Sequence, residues 1–428
     1  MTGGFQDRQA EGVHDRLHAR CMVLSDGETT IALVICDSCL IPREIYDAAK
    51  QSASKKTGIP VNRILTAATH THTAPTAAPL AQCHPDPDYI EHLTNQITRS
   101  IVVAHKNLRS AELGLQTADL PEEVSNRRWF VKESAMTANP FGGTEDRVRT
   151  NPPRGIDVLI EPAGPVDPEI TFLSLRSQDH QPQALLANYG LHYVGGIPGG
   201  QLSADYFGEF ARQITDHLDA DESFVGMMSN GASGDVNNYR FLEPRERQPP
   251  FERIREVAAA VVQKYDSVDE KIVYQNDLTI NMLERELTLG IRQPGANELT
   301  RARKLLKNAA DPKRLTMNEL YAQESVRLSE ADPQVTIKLQ TIALGDLAIV
   351  AIPCEVFADI GLEIKQKSPF KQTFVIALAN GYHGYLPTPE QHALGGYETW
   401  CSGWSYLETE ASVKISEQAL KMLGEIRK

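Results

Sequence analysis

Long apolar runs are missing from this chain: nowhere do about eighteen such residues stand together, so no helical membrane span is expected. Basic residues are in deficit, with 43 Lys and Arg against 56 Asp and Glu and a formal net charge of -13. That balance argues against a nucleic-acid partner, because neutralising phosphates needs a basic face. A local cationic cleft is still allowed, so a small-molecule substrate remains open. Cysteines number six (Cys21, Cys36, Cys39, Cys83, Cys354 and Cys401), scattered and mostly inside apolar runs. Cys36-Asp37-Ser38-Cys39 has no second CxxC to complete a zinc cluster, and its setting after Ile31-Ala32-Leu33-Val34-Ile35 reads as a buried strand end. The opening residues are polar and contain no apolar core of a secretory signal. The chain as written is expected in the cytoplasm, or in the periplasm or medium if a leader has been removed. Nothing in it specifies an oligomeric state.

What is present is ordinary globular material, 41% hydrophobic and 23% charged over 428 residues, enough to bury a large core. Val23-Leu24 and Thr30 to Ile35, around Asp26-Gly27-Glu28, predict a hairpin. Arg43 to Thr57 has helical periodicity and stops at Gly58-Ile59-Pro60. A strand from Arg63 to Ala68 and a helix from Asp88 to Leu108 follow. Leu120 to Pro168, rich in Asn, Pro, Gly and Arg, reads as a long ordered excursion over the surface. Strands are expected near Ile170 to Arg176, Gln183 to Tyr189, Phe224 to Met228 and Phe374 to Leu378, with helices from Tyr206 to Leu218 and Glu252 to Tyr265. Val335 to Ile352 predicts a second hairpin around Gly345-Asp346. The fold class is α/β, mixed sheets with covering helices, in a single large domain over residues 1–428. Ala296 to Asp332 reads as surface helices inserted into it.

Polar clusters follow several of the short apolar strands. Thr69-His70-Thr71-His72-Thr73-Ala74-Pro75 leaves the run Ile64 to Ala68. His192 follows Ala184 to Tyr189, Asn230 follows Phe224 to Met228, Glu355 follows Ala348 to Pro353, and Tyr382 follows Phe374 to Leu378. In open α/β sheets, sites form outside strand ends. In an extended segment alternate side chains share a side, so His70 and His72 are expected to face one cleft, offering metal ligands or catalytic groups.

Together these segments resemble the catalytic domain of the neutral (non-lysosomal) ceramidases, zinc amidases that cleave N-acyl bonds. The matching pieces are Ala68 to Pro75, Asn126-Arg127, Val166-Asp167-Pro168-Glu169, Asn188 to His192, Ser203-Ala204-Asp205-Tyr206, Asn230 to Asn238, Pro353-Cys354-Glu355 and Asn380 to Tyr385. The resemblance implies one catalytic Zn²⁺ held by His70, His192, Glu355 and Tyr385, with a position open for water. It implies that His72 faces the substrate, to stabilise an oxyanion or move a proton. Asp235 would orient the water or a ligand, and Arg127 would clamp a carbonyl or carboxylate. Tyr382 and His383 would line the pocket. Asp205 and Tyr206 would either contact substrate or form a helix N-terminus. Tyr397-Glu398 matches a Tyr-Glu pair of the family without an assignable role.

Two departures bear on substrate. The family carries Gly-Asp-Val-Ser where this chain has Gly234-Asp235-Val236-Asn237, and Asn237 exchanges hydrogen bonds but is no nucleophile. Family ceramidases continue into a C-terminal β-sandwich, whereas this chain is expected to end soon after the tyrosine motif. Little apolar loop sequence is available for a lipid tail. The expected function is therefore hydrolysis of an amide, or less readily an ester, of a small polar compound other than ceramide by zinc-bound hydroxide. The alternatives are a zinc-dependent carbohydrate enzyme (hydrolase, lyase or epimerase) and a metal-stabilised binding protein without catalysis.

Overall fold

The structure, a computed structural model, describes residues 1, 3–155, 157–244 and 248–427. Three sheets make the framework, and the expected α/β class is what is seen. Ala19–Ser25, Thr30–Cys36 and Ile64–Ala68 form a three-stranded sheet. Val225–Asn230, Pro182–Tyr189, Glu169–Arg176, Glu112–Asp119 and Val273–Gln275 lie side by side in a five-stranded sheet. Ile280–Gly290, Gln334–Leu344, Leu347–Ala351 and Gln372–Ile376 form a four-stranded one.

Near-continuous apolar runs such as Leu347–Ala351 and Ile64–Ala68 are buried along their whole length, as strands covered on both faces must be. Leu33 and Leu65, Leu173, Leu186 and Met227, and Ile342, Ile349 and Phe374 bring all three sheets into one apolar cluster. Each sheet contains one parallel pair: Thr30–Cys36 with Ile64–Ala68, Pro182–Tyr189 with Val225–Asn230, and Leu347–Ala351 with Gln372–Ile376. The polar clusters noted in the sequence leave the C-terminal ends of these strands.

One segment stitches those ends together. Ala377 N–H donates to Asn230 O at 2.9 Å, Leu378 N–H to Cys354 O at 3.1 Å, and Asn380 N–H to Thr66 O at 2.7 Å. The segment continues from Gln372–Ile376 of the four-stranded sheet and touches a strand of each of the other two, so loops far apart in sequence share one floor. Helices Arg43–Thr57, Pro87–Lys106, Asp205–His217, Glu252–Asp269 and Ala411–Ile426 cover the outer faces. Among the described residues no helix is long and apolar enough to cross a membrane.

Two expectations need correction. The stretch read as a surface excursion contains a three-stranded sheet of Arg128–Val131, Val148–Thr150 and Leu159–Pro162, with Arg128 and Trp129 buried. It is held inward by the Arg128–Glu398 ion pair and by a small apolar cluster of Trp129, Val131, Leu159 and Phe241. The helix Met317–Ser329, read as surface, buries Leu320, Tyr321 and Leu328, because three well-spaced large side chains suffice to dock a helix. Strands Glu112–Asp119 and Ile280–Gly290 gave no recognised signal, since both mix charged and apolar residues.

Candidate metal centre and cavity

His70 stands two residues beyond the strand Ile64–Ala68, where its backbone turns left-handed with φ 74°. A non-glycine residue rarely adopts that conformation and costs about 1–3 kcal/mol there. The main chain holds it, with His70 N–H donating to Ser38 O at 2.9 Å. The Thr69–Thr73 segment is therefore a turn, and strand alternation is not what brings His70 and His72 together. The left-handed turn does so, and their Nε2 atoms lie 3.1 Å apart.

Each of three imidazoles directs Nδ1 at a backbone carbonyl: His70 at Cys39 O (2.7 Å), His192 at Ser233 O (3.0 Å) and His72 at Gly3 O (3.2 Å). A carbonyl only accepts, so Nδ1 carries the proton and a neutral ring presents a bare Nε2 lone pair. Those Nε2 atoms converge. His70 and His192 approach within 3.0 Å, and Glu355 Oε2 lies 3.2 Å from the first and 3.8 Å from the second. Ligands about 2.0–2.1 Å from a tetrahedral zinc stand about 3.3 Å from each other. The triangle matches that spacing.

Glu355 sits on the strand Glu355–Val356, paired in parallel register with Tyr385–Leu386, so Glu355 and Tyr385 are direct neighbours. Gly234 permits this approach, because a Cβ there would fall 2.4 Å from Glu355 O. The Tyr382 hydroxyl donates to Glu355 Oε1 at 2.8 Å, while buried Oε2 makes no hydrogen bond. A buried carboxylate oxygen is costly unless a cation satisfies it, and only the His70 and His192 rings face this one. Burial works against charge on all three rings. At His70 the Glu355 carboxylate outweighs burial and holds the ring well above the ordinary imidazole range. Burial and the charge on His70 push His72 and His192 well below it. In the metal-free cluster a proton thus stands where a divalent cation would fit, and the donor set of nitrogen and oxygen suits zinc.

The cluster opens on a cavity of about 470 Å³. His70, His72, Arg127, Glu355, Tyr382 and Tyr385 line it. Burial pushes the Tyr385 phenol well above its usual range, and the Arg127 guanidinium, 5.3 Å from the ring centre, opposes that. His72 is stacked on Tyr193 at 3.7 Å, a contact with no signature in sequence beyond the His192-Tyr193 adjacency. Phe5, Trp400 and Trp404 add an aromatic wall that sequence reasoning missed, because isolated aromatics carry no local sign of facing a cavity.

Other expected site residues lie behind this wall. Asp235 is fully buried and accepts from Ala358 N–H and Asn126 Nδ2, both at 2.8 Å, clamping the glycine-rich loop to a helix start. Asn237 donates to Asn151 Oδ1 at 3.0 Å, outside the cavity lining. Asp205 accepts from Val194 and Gly195 N–H at 3.0 and 2.9 Å, and Tyr206 donates to Leu191 O at 2.9 Å, so both brace the segment that carries His192. His383 pairs with the Tyr406 hydroxyl at 2.7 Å. Burial raises Asp205 and Asp235 to about 6 and lowers His383 to about 4. None of these five lines the cavity.

Two solved structures share the fold. One, described as ceramidase complexed with C2, superposes with a TM-score of 0.73 over 99% of this chain and 72% of its own, at 16% identity. The other, neutral ceramidase from Pseudomonas aeruginosa, gives 0.71 over 100% and 73%, also at 16% identity. No curated protein matches the sequence. The family described as neutral/alkaline non-lysosomal ceramidase, N-terminal, matches residues 1–239, which include His70, Arg127 and His192. The chain belongs to the neutral/alkaline non-lysosomal ceramidase family.

Proposed function

We propose that this chain is a zinc-dependent hydrolase of the amide bond in a small N-acyl compound, acting as one domain over residues 1–428. The observation that carries the reading is the convergence of His70 Nε2, His192 Nε2 and Glu355 Oε2, an oxygen that faces only these imidazoles, beside one cavity. Those three groups would hold the ion, with Tyr385 as fourth ligand. When bound, zinc supplies a Lewis acid that polarises a carbonyl and lowers a water's pKa to about 7.

The protein's own groups do the rest. The Cys39 and Ser233 carbonyls fix the tautomers of His70 and His192, and Tyr382 holds the carboxylate of Glu355 by its other oxygen. His72 Nε2 faces the cavity as a neutral base, able to take a proton and return it to the leaving amine. Arg127 Nη2, buried and without an acceptor, donates to the scissile carbonyl oxygen as charge develops there. Asp235 and Asn237 act through the loop they hold, and Asp205, Tyr206 and His383 through the backbone behind the cavity. A cavity of about 470 Å³ suits a compact substrate, with its apolar part against Phe5, Trp400 and Trp404.

The test is metal analysis of wild type and His192→Ala alongside turnover of short N-acyl amines. Loss of zinc together with activity is expected. A variant that kept both in full would overturn the assignment.

A further inference from the structure

Glu398, a motif residue without a sequence-derived role, is fully buried between two arginines. Its Oε1 accepts from Arg127 Nε at 2.7 Å; its Oε2 accepts from Arg128 Nη1 at 2.7 Å and Thr150 Oγ1 at 2.6 Å. Arg128 is otherwise consumed by the framework, donating to Gln391 Oε1, Gln391 O and Gly395 O. Arg127 is not. Its Nη1 lies 3.5 Å from His192 Nε2 and its Nη2 has no acceptor, although the residue is only 4% exposed.

One carboxylate thus serves two guanidinium groups, and Arg127 keeps an Nη2 without a hydrogen-bond acceptor at the cavity edge. A purely structural pair would leave no buried N–H unsatisfied, because that costs the full desolvation of the group. We propose that Glu398 is a positioning residue: it turns Arg127 so that Nη2 is presented to an oxyanion or carboxylate beside the metal centre. A carboxylate is the product expected from amide hydrolysis, so the inference rests on that reading for its biological use. The geometry itself makes a claim about anion binding that stands apart from turnover.

Acetate, the simplest such product, is the probe. Its affinity for zinc-loaded protein is measured by calorimetry for wild type, Arg127→Ala, Glu398→Gln and the double variant, with zinc content and melting recorded for each. Each single change is expected to weaken acetate binding about tenfold or more, and the double variant to be no weaker than Arg127→Ala within about twofold, because both act through one group. A merely structural contribution would multiply instead. Wild-type affinity in Glu398→Gln, multiplied losses in the double variant, or no acetate binding to wild type would each overturn the proposal. If Glu398→Gln fails to fold, Thr150→Val removes one hydrogen bond from the same carboxylate and is expected to weaken acetate about threefold; no change would overturn it. Coupled acetate binding without any amide turnover would defeat the hydrolase reading and leave the positioning role intact.

Discussion

Tyr382 and Glu355 show how one hydrogen bond can single out the oxygen of a candidate ligand. The carboxylate has two oxygens; the phenol occupies one, and only the other is left for a cation. Tyr382→Phe removes that donor and frees the carboxylate to rotate. Competition with a chelator should show zinc affinity reduced about tenfold, in the range seen when a ligand's supporting partner is lost. Unchanged affinity would mean that packing alone orients Glu355. His70 adds a pH dependence. Burial opposes its charge, but Glu355 raises its pKa well above the usual imidazole value, so zinc must displace a proton to bind. Apparent zinc affinity should therefore climb with pH by about tenfold per unit until His70 is deprotonated, then level off. Above about pH 6.5, where His72 and His192 are neutral both folded and unfolded, the stability of the metal-free protein runs the other way. The raised pKa contributes most below the unfolded value near 6.5 and is lost as pH rises through the folded one. Zinc titrations at several pH values check the first, and chemical denaturation of metal-free protein checks the second.

Strand ends and the turns beyond them do the positioning. Parallel register places Tyr385 beside Glu355, and Gly384 O accepts the Glu355 N–H at 2.9 Å. The glycine-rich loop lies against the same backbone, with Gly234 N–H donating to Val356 O at 2.7 Å. Gly234→Ala would force a Cβ to within 2.4 Å of Glu355 O, a backbone atom that has nowhere to yield. The expected cost is about 2 kcal/mol or more, read as a lowered melting temperature together with weakened zinc binding. A stable variant with full zinc affinity would show that the loop moves as a unit. The glycine-rich motif was readable in sequence, but its reason was not: the requirement is a close approach by a segment more than a hundred positions away. The same holds for Asp205 and Tyr206. Their motif is plain in the sequence, yet only the fold shows them gripping the backbone around His192.

At the level of the complete chain, the three sheets meet in one apolar cluster and the Ala377–Asn380 segment joins their ends. Calorimetry should accordingly give one cooperative unfolding transition; two resolved transitions would argue for separable domains. The candidate ligands also come from both halves, His70 and His192 within residues 1–239 and Glu355 and Tyr385 beyond them. The amino-acid sequence by itself determined the apolar elements and the donor types. Apolar runs such as Ile64–Ala68 and Leu347–Ala351 read as buried strands, and imidazole, carboxylate and phenol groups stand beyond their exits; a shared metal role for them came from the family resemblance. Tertiary structure alone decided which donors meet. Positive φ at His70, the orphaned oxygen of Glu355, the aromatic wall and the sharing of Glu398 by two arginines all arise between distant segments. Local propensity and periodicity report only what a residue's near neighbours in sequence prefer. Long-range packing and the pairing of buried charge fix the rest, and neither leaves a local trace.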